Sequence, residues 1–107
     1  MGKKKIKQVY LIQSLEDGYY KIGVSKHPSR RLLELQTGNP SELKLIDVFE
    51  SEYPNLVEKG LHRHFKHLNA VGEWYNLSIE EELCFINECE RFEKNIKTLK
   101  EMGNEFI

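Results

Sequence analysis

The stretch VYLIQSLEDGYYKIG, Val9 to Gly23, restricts the fold more than any other part of the chain. Two short runs of β-branched and aromatic residues meet across Glu16-Asp17-Gly18, the pattern of two antiparallel strands joined by a tight turn. Strand alternation sets Val9, Leu11 and Gln13 on one face of the first run and Tyr10 and Ile12 on the other. In the second run Tyr20, Ile22 and Val24 share a face, and Tyr19, Lys21 and Gly23 share its opposite. A hairpin has no need of the charge at Lys21. Nor does it need Gly23, since an interior glycine weakens a strand and marks a place where something approaches closely.

Beyond Ser25 the apolar period lengthens. Pro28 suits a first helical turn, and PSRRLLELQT places Leu32 and Leu35 inward, with Gly38 and Asn39-Pro40 as the stop. LKLIDVFES, Leu43 to Ser51, reads as a third strand. A second helix is expected from Pro54 to about Leu68, striped by Val57, Leu61, Phe65 and Leu68. GEWYNL is a short extended segment. Ser78 and Glu81 form a capping box that opens the last helix, along which Phe85, Cys89, Phe92, Ile96 and Leu99 recur at steps of four and three. The expected fold is α+β: a small, mostly antiparallel sheet built from a β-hairpin, helix, strand, helix and short strand, with a long C-terminal helix packed on it. Residues 1–7 are read as a basic tail, 8–77 as the core and 78–107 as the C-terminal helix.

At 107 residues the chain suffices for one hydrophobic core. The net charge of −1 hides a gradient. Residues 1–40 carry eight Lys/Arg against three acids, whereas residues 78–107 carry four against eight. A phosphate-binding face is therefore compatible with the near-neutral total. No apolar run approaches a membrane span of about 18 residues, and no secretory leader pattern opens the chain, so a cytoplasmic setting without membrane contact is expected. Cys84 and Cys89 sit five apart on the last helix, where their side chains diverge; buried free thiols are expected.

Several residues exceed what folding requires. Lys21 lies mid-strand, Arg31 begins the first helix, and Glu58 and His62 stand one turn apart on the second. On spacing alone Glu58 and His62 read as a solvated pair. QVYLI and YYKIG, followed by SKHPSRR, resemble the two strand motifs and the arginine helix of the GIY-YIG nuclease superfamily. The stretches ELQTGNP, VEKGLHRHF and GEWYNL are similar to its phage and bacterial branch, whose second motif reads Lys-Ile-Gly. The resemblance spans about Val9 to Leu77.

It implies metal-assisted hydrolysis of DNA phosphodiesters. By that resemblance Tyr10 stands beside the attacking water, and Arg31 is a fork donor to the scissile phosphate. Glu58 holds one Mg²⁺ or Mn²⁺ ion, which keeps several waters and draws further ligands from the substrate. Lys21 takes the place of the wider superfamily's second tyrosine and offers only donors where a phenol also accepts. His62 supports the site by orienting Glu58 or touching phosphate, with a structural role equally open. Glu73 or Asn76 ends the core near the site, the sequence favouring neither; Trp74 and Tyr75 are expected in the core.

Two other functions compete with a DNA endonuclease. One is a nucleic-acid-binding module that keeps the fold without the chemistry. The other is an adaptor, a homodimer formed through the seam of the C-terminal helix; packing of that seam on the chain's own sheet is preferred. HRHFKH with Cys84 and Cys89 does not complete a tetrahedral zinc set.

Overall fold

The computed structural model describes residues 6–103, so most of the lysine-rich tail (1–7) lies outside the described residues. The order is β1 (Gln8–Ser14), β2 (Tyr20–Ser25), α1 (Pro28–Thr37), β3 (Leu43–Glu50) and α2 (Pro54–His64). A 3-10 turn (Lys66–Leu68) follows, then β4 (Asn69–Val71), β5 (Trp74–Tyr75), α3 (Ile79–Leu83) and α4 (Phe85–Glu101). The five strands form one antiparallel sheet in the order β3-β1-β2-β5-β4. The α+β architecture is thus the expected one.

The hairpin has the expected register, with Tyr10 opposite Gly23 and Ile12 opposite Lys21. Its turn is closed by Gly18 N–H donating to the Ser14 carbonyl and by Tyr19 N–H donating to Asp17 Oδ1. Alternation then divides the apolar side chains between two layers. Val9, Leu11, Tyr20 and Ile22 are buried against α2 and α4 with Val57, Leu61, Phe65, Phe85, Cys89 and Ile96. Tyr10, Ile12 and Leu43 are buried on the opposite face, where Leu32, Leu35, Leu45 and Trp74 pack against them. Helices therefore cover both faces, and at roughly 25 cal/mol per Å² this apolar burial is the main force holding the layers together.

Four details differ from the sequence expectation. α2 stops at His64, and Phe65 and Leu68 reach the core through the 3-10 turn rather than through a longer helix. β4, an exposed three-residue strand without apolar alternation, was not anticipated; it pairs only with β5. The C-terminal helix is interrupted at Cys84, between a short α3 capped by the Ser78–Glu81 box and a long α4. That interruption leaves Cys84 exposed, so of the two free cysteines only Cys89 is buried, and burial raises its thiol pKa.

The apolar seam of the last helix is consumed internally, with Phe85, Cys89 and Ile96 buried and Phe92 packed against the same core. Helices α2 and α4 approach closely enough that a Cβ on Gly60 would lie 2.7 Å from the Phe92 ring. Gly60→Ala should therefore lower stability by about 1–2 kcal/mol, overpacking outweighing the ~1 kcal/mol gain in helix propensity. The shift is read as a reduced urea midpoint at unchanged m-value.

Candidate active site

Of the strands beside β2, β1 runs along its full length, while β5 pairs only with Tyr20 and Lys21. Among the described residues, no strand lies beside the outer edge of β2 from Ile22 onward. The vacancy is filled by α2: His62 Nε2 lies 3.0 Å from the Ile22 carbonyl oxygen, and the His62 ring stacks on Tyr75 at 5.6 Å between centroids. As a hydrogen bond to a carbonyl oxygen requires a donor, Nε2 carries the proton in this arrangement. Its role is to tie helix to strand. Glu58, one turn earlier, is thereby held at the place where the two faces of the sheet meet.

On the α1 face, the Tyr10 phenol lies across Gly23. A Cβ on Gly23 would sit 2.3 Å from Tyr10 Oη and 2.4 Å from Cζ, so the glycine makes room for this ring. The close approach signalled by the sequence is thus made by a tyrosine of the neighbouring strand. Tyr10 is buried, and its hydroxyl end faces Arg31 on the first turns of α1. The Arg31 guanidinium has its pKa raised first by Tyr10 and then by Glu34, to which Nη1 donates at 3.2 Å. Arg31 remains solvent-facing, available to an anion.

Lys21 is on the same strand face. Its stem is covered, with the side chain 11% exposed, and Nζ reaches Glu73 Oε1 at 2.6 Å. Lys21 Nζ also stands 6.0 Å from the Trp74 ring centroid. Glu73 occupies the two-residue turn Gly72-Glu73 between β4 and β5, where Gly72 adopts φ +54° and Asn69 Nδ2 donates to the Gly72 and Trp74 carbonyls. Between the alternatives left by the sequence, Glu73 is the one within reach of the other candidates; Asn76 is exposed, and its backbone N–H donates to Leu68.

The carboxylates respond in opposite senses. The hydrogen bond from Lys21 lowers the Glu73 pKa, with His62 and Arg31 acting in the same direction. Burial raises the Glu58 pKa, and the Glu73 charge adds to it, while His62 and Lys21 oppose the rise. Tyr10, Lys21, Arg31, Glu58, His62 and Glu73 thus influence one another electrostatically around one corner of the sheet. Tyr10 joins this set through Arg31, and Glu58 joins it through Lys21, His62 and Glu73.

Among the described residues, neither a hydrogen bond nor an ion pair engages the Glu58 carboxylate. A partly desolvated carboxylate lacking a donor suits a hard cation, which would offset the lost hydration. No group of three or more His, Cys, Asp or Glu side chains among the described residues is placed to share a metal ion. An ion at Glu58 would therefore take its remaining ligands from water and substrate, as Mg²⁺ readily does.

The T5orf172 domain family matches residues 7–102, which include every residue of the cluster. The chain belongs to the T5orf172 domain family. This is a phage-derived domain related to nuclease-like folds. No curated protein and no solved structure gives a match. Among the described residues no helix is long and apolar enough to cross a membrane.

Two predictions follow from the geometry. Gly23→Ala should displace the Tyr10 ring and lower stability by about 1–3 kcal/mol, as overpacking does. In a Tyr10→Ala background the same change should cost far less, so a double-mutant cycle by urea denaturation reads the contact directly. For Glu58, the folded pKa is raised, so its stabilising contribution is complete below the unfolded pKa and lost as pH rises through the folded one. Without divalent ions, Glu58→Gln should therefore show a higher urea midpoint than wild type at pH 7, and the difference should vanish on acidification through the carboxylate range.

Proposed function

We propose that the chain is a metal-dependent DNA endonuclease of the GIY-YIG type, cutting a phosphodiester at the corner where the α1 face of the sheet meets the open edge of β2. The supporting observation is that Arg31, Lys21 and Glu58, two cations and an unpartnered carboxylate from three separate elements, each interact electrostatically with Glu73 at that corner. A site that only bound phosphate would gain from the cations and be hindered by that carboxylate. Membership of a phage-derived, nuclease-related family agrees with the assignment.

In this reading DNA backbone lies across the corner. Arg31 offers its fork to the non-bridging oxygens, where negative charge grows as the nucleophile adds. Lys21 adds a point charge to the same phosphate, and its covered stem restricts where the ammonium can go. The Tyr10 oxygen, fixed over Gly23 and next to Arg31, is placed to orient a water for attack on phosphorus. The oxygen of that water forms the new bond to phosphorus as the bond to the departing sugar oxygen breaks. Glu58 would hold the divalent ion, which supplies charge stabilisation at the phosphate and the leaving oxygen. His62 acts as a positioning residue, fixing α2 against the β2 carbonyl so that Glu58 is presented at the edge.

Purified protein should nick supercoiled plasmid with Mg²⁺ or Mn²⁺ and stop when EDTA is added. Glu58→Ala should abolish nicking while retaining the circular dichroism spectrum and much of the DNA binding; Arg31→Ala should slow it by about 10²–10³-fold. Cutting by Glu58→Ala at the wild-type rate would refute the metal assignment. DNA binding by the wild type without cutting under any divalent ion would identify a binding module instead.

A further inference from the structure

The Lys21–Glu73 ion pair lies inside the proposed phosphate site, which is an unusual place for an anion. Glu73 Oε1 is 2.6 Å from Lys21 Nζ, and the more distant charges of His62 and Arg31 also favour the ionised form of that carboxylate. Its position is therefore defined by the groups that the preceding reading assigns to the substrate. The two partners differ in exposure: the Lys21 side chain is 11% exposed, whereas that of Glu73 is 56% exposed on a hairpin turn. The lysine is enclosed, and the glutamate has open solvent beside it.

We propose that Glu73 is a built-in phosphate surrogate: its carboxylate occupies the anion position at the Lys21 ammonium in the free protein and must swing aside when a phosphodiester enters. This inference rests on the nuclease reading for the identity of the incoming anion, though not for the existence of the anion position. A carboxylate and a phosphate present the same kind of acceptor oxygens to an ammonium and a guanidinium, so one can stand in for the other. Since the pair is surface-exposed on the Glu73 side, displacement is cheap and the site stays usable. The consequence is discrimination: an isolated phosphate competes poorly with the resident carboxylate, whereas a polyanion making several contacts displaces it.

The Gly72 and Asn69 contacts that shape the turn are made by backbone and by Asn69, not by the Glu73 carboxylate, so neutralising that side chain leaves the hairpin intact. Glu73→Gln, compared with wild type in EDTA, should bind a fluorescent duplex about 3- to 10-fold more tightly at low salt. The slope of log affinity against log salt should steepen by about one, because Lys21 then releases a counterion that Glu73 previously replaced. In a Lys21→Ala background both effects should shrink. The same proteins titrated with inorganic pyrophosphate, read by the Arg31 side-chain NMR signal, test the anion position separately from DNA. A gain for pyrophosphate with no duplex binding by either protein would uphold the surrogate and overturn the nuclease reading. Equal or weaker binding of both ligands by Glu73→Gln would overturn the surrogate, showing that Glu73 serves only to hold Lys21 in place.

Discussion

The late start of β5 is the constraint from which the rest of the candidate site follows. Had that strand begun earlier and run on alongside β2, the carbonyl of Ile22 would be paired within the sheet, and the two faces would be sealed from each other. Instead β5 begins only at Trp74, opposite Lys21, and the next carbonyl along β2 is taken by the imidazole of His62. A buried or half-buried backbone oxygen needs a partner, so the helix supplying it is fixed in position and rotation. Through that one hydrogen bond an element packed on one face gains access to groups on the other. The hairpin Asn69–Tyr75 that stops short is also the one that carries Glu73 at its tip, so the same local geometry opens the edge and closes the ion pair beside it.

Much of this was legible in the sequence wherever a short-range rule governed the outcome. Alternation in β1 and β2 placed Tyr10 and Lys21 on one face and Leu11 and Ile22 on the other, as found. Pro28, the Ser78–Glu81 box and the apolar stripe of α2 marked three helices for similarly local reasons. Where tertiary contacts decided, the sequence was insufficient. β4 lacks any apolar alternation because both its faces are exposed, so nothing in its composition distinguishes it from a loop. The break at Cys84 falls just before the apolar seam begins at Phe85, so the periodicity along α4 carries no sign of it. The place of Gly60 within α2 rests on the Phe92 ring packed against it, a tertiary contact that no local rule contains.

The site shows the same division. Each residue type was conspicuous in its own segment, but their mutual relations were not. Spacing alone made Glu58 and His62 an ordinary solvated pair, whereas the fold directs His62 to a backbone carbonyl and leaves the carboxylate of Glu58 without a donor. Glu73 and Asn76 were indistinguishable in an extended segment because a shift of one residue reverses a strand's facing. The pairing of Lys21 with Trp74 sets the turn residue before Trp74, Glu73 rather than Asn76, beside the ammonium.

The two carboxylates illustrate why neighbouring groups of one chemical type need not share one role. Glu58 is desolvated and lacks a donor, so the fold raises its proton affinity and would reward a cation at that place. Glu73 is half in water with a lysine at hydrogen-bond distance, so the fold keeps it ionised. Their mutual repulsion connects the two, for the Glu73 charge is among the causes raising the Glu58 pKa. Moving Glu73 away from the corner would therefore relieve Glu58 while freeing Lys21. Entry of a phosphodiester would do both and restore negative charge in the same act, now on oxygens able to share a cation with Glu58. Under the proposed reading, charge at the corner would balance in either state: with the carboxylate of Glu73 on Lys21, or with a phosphate there and a divalent ion offsetting the added charge.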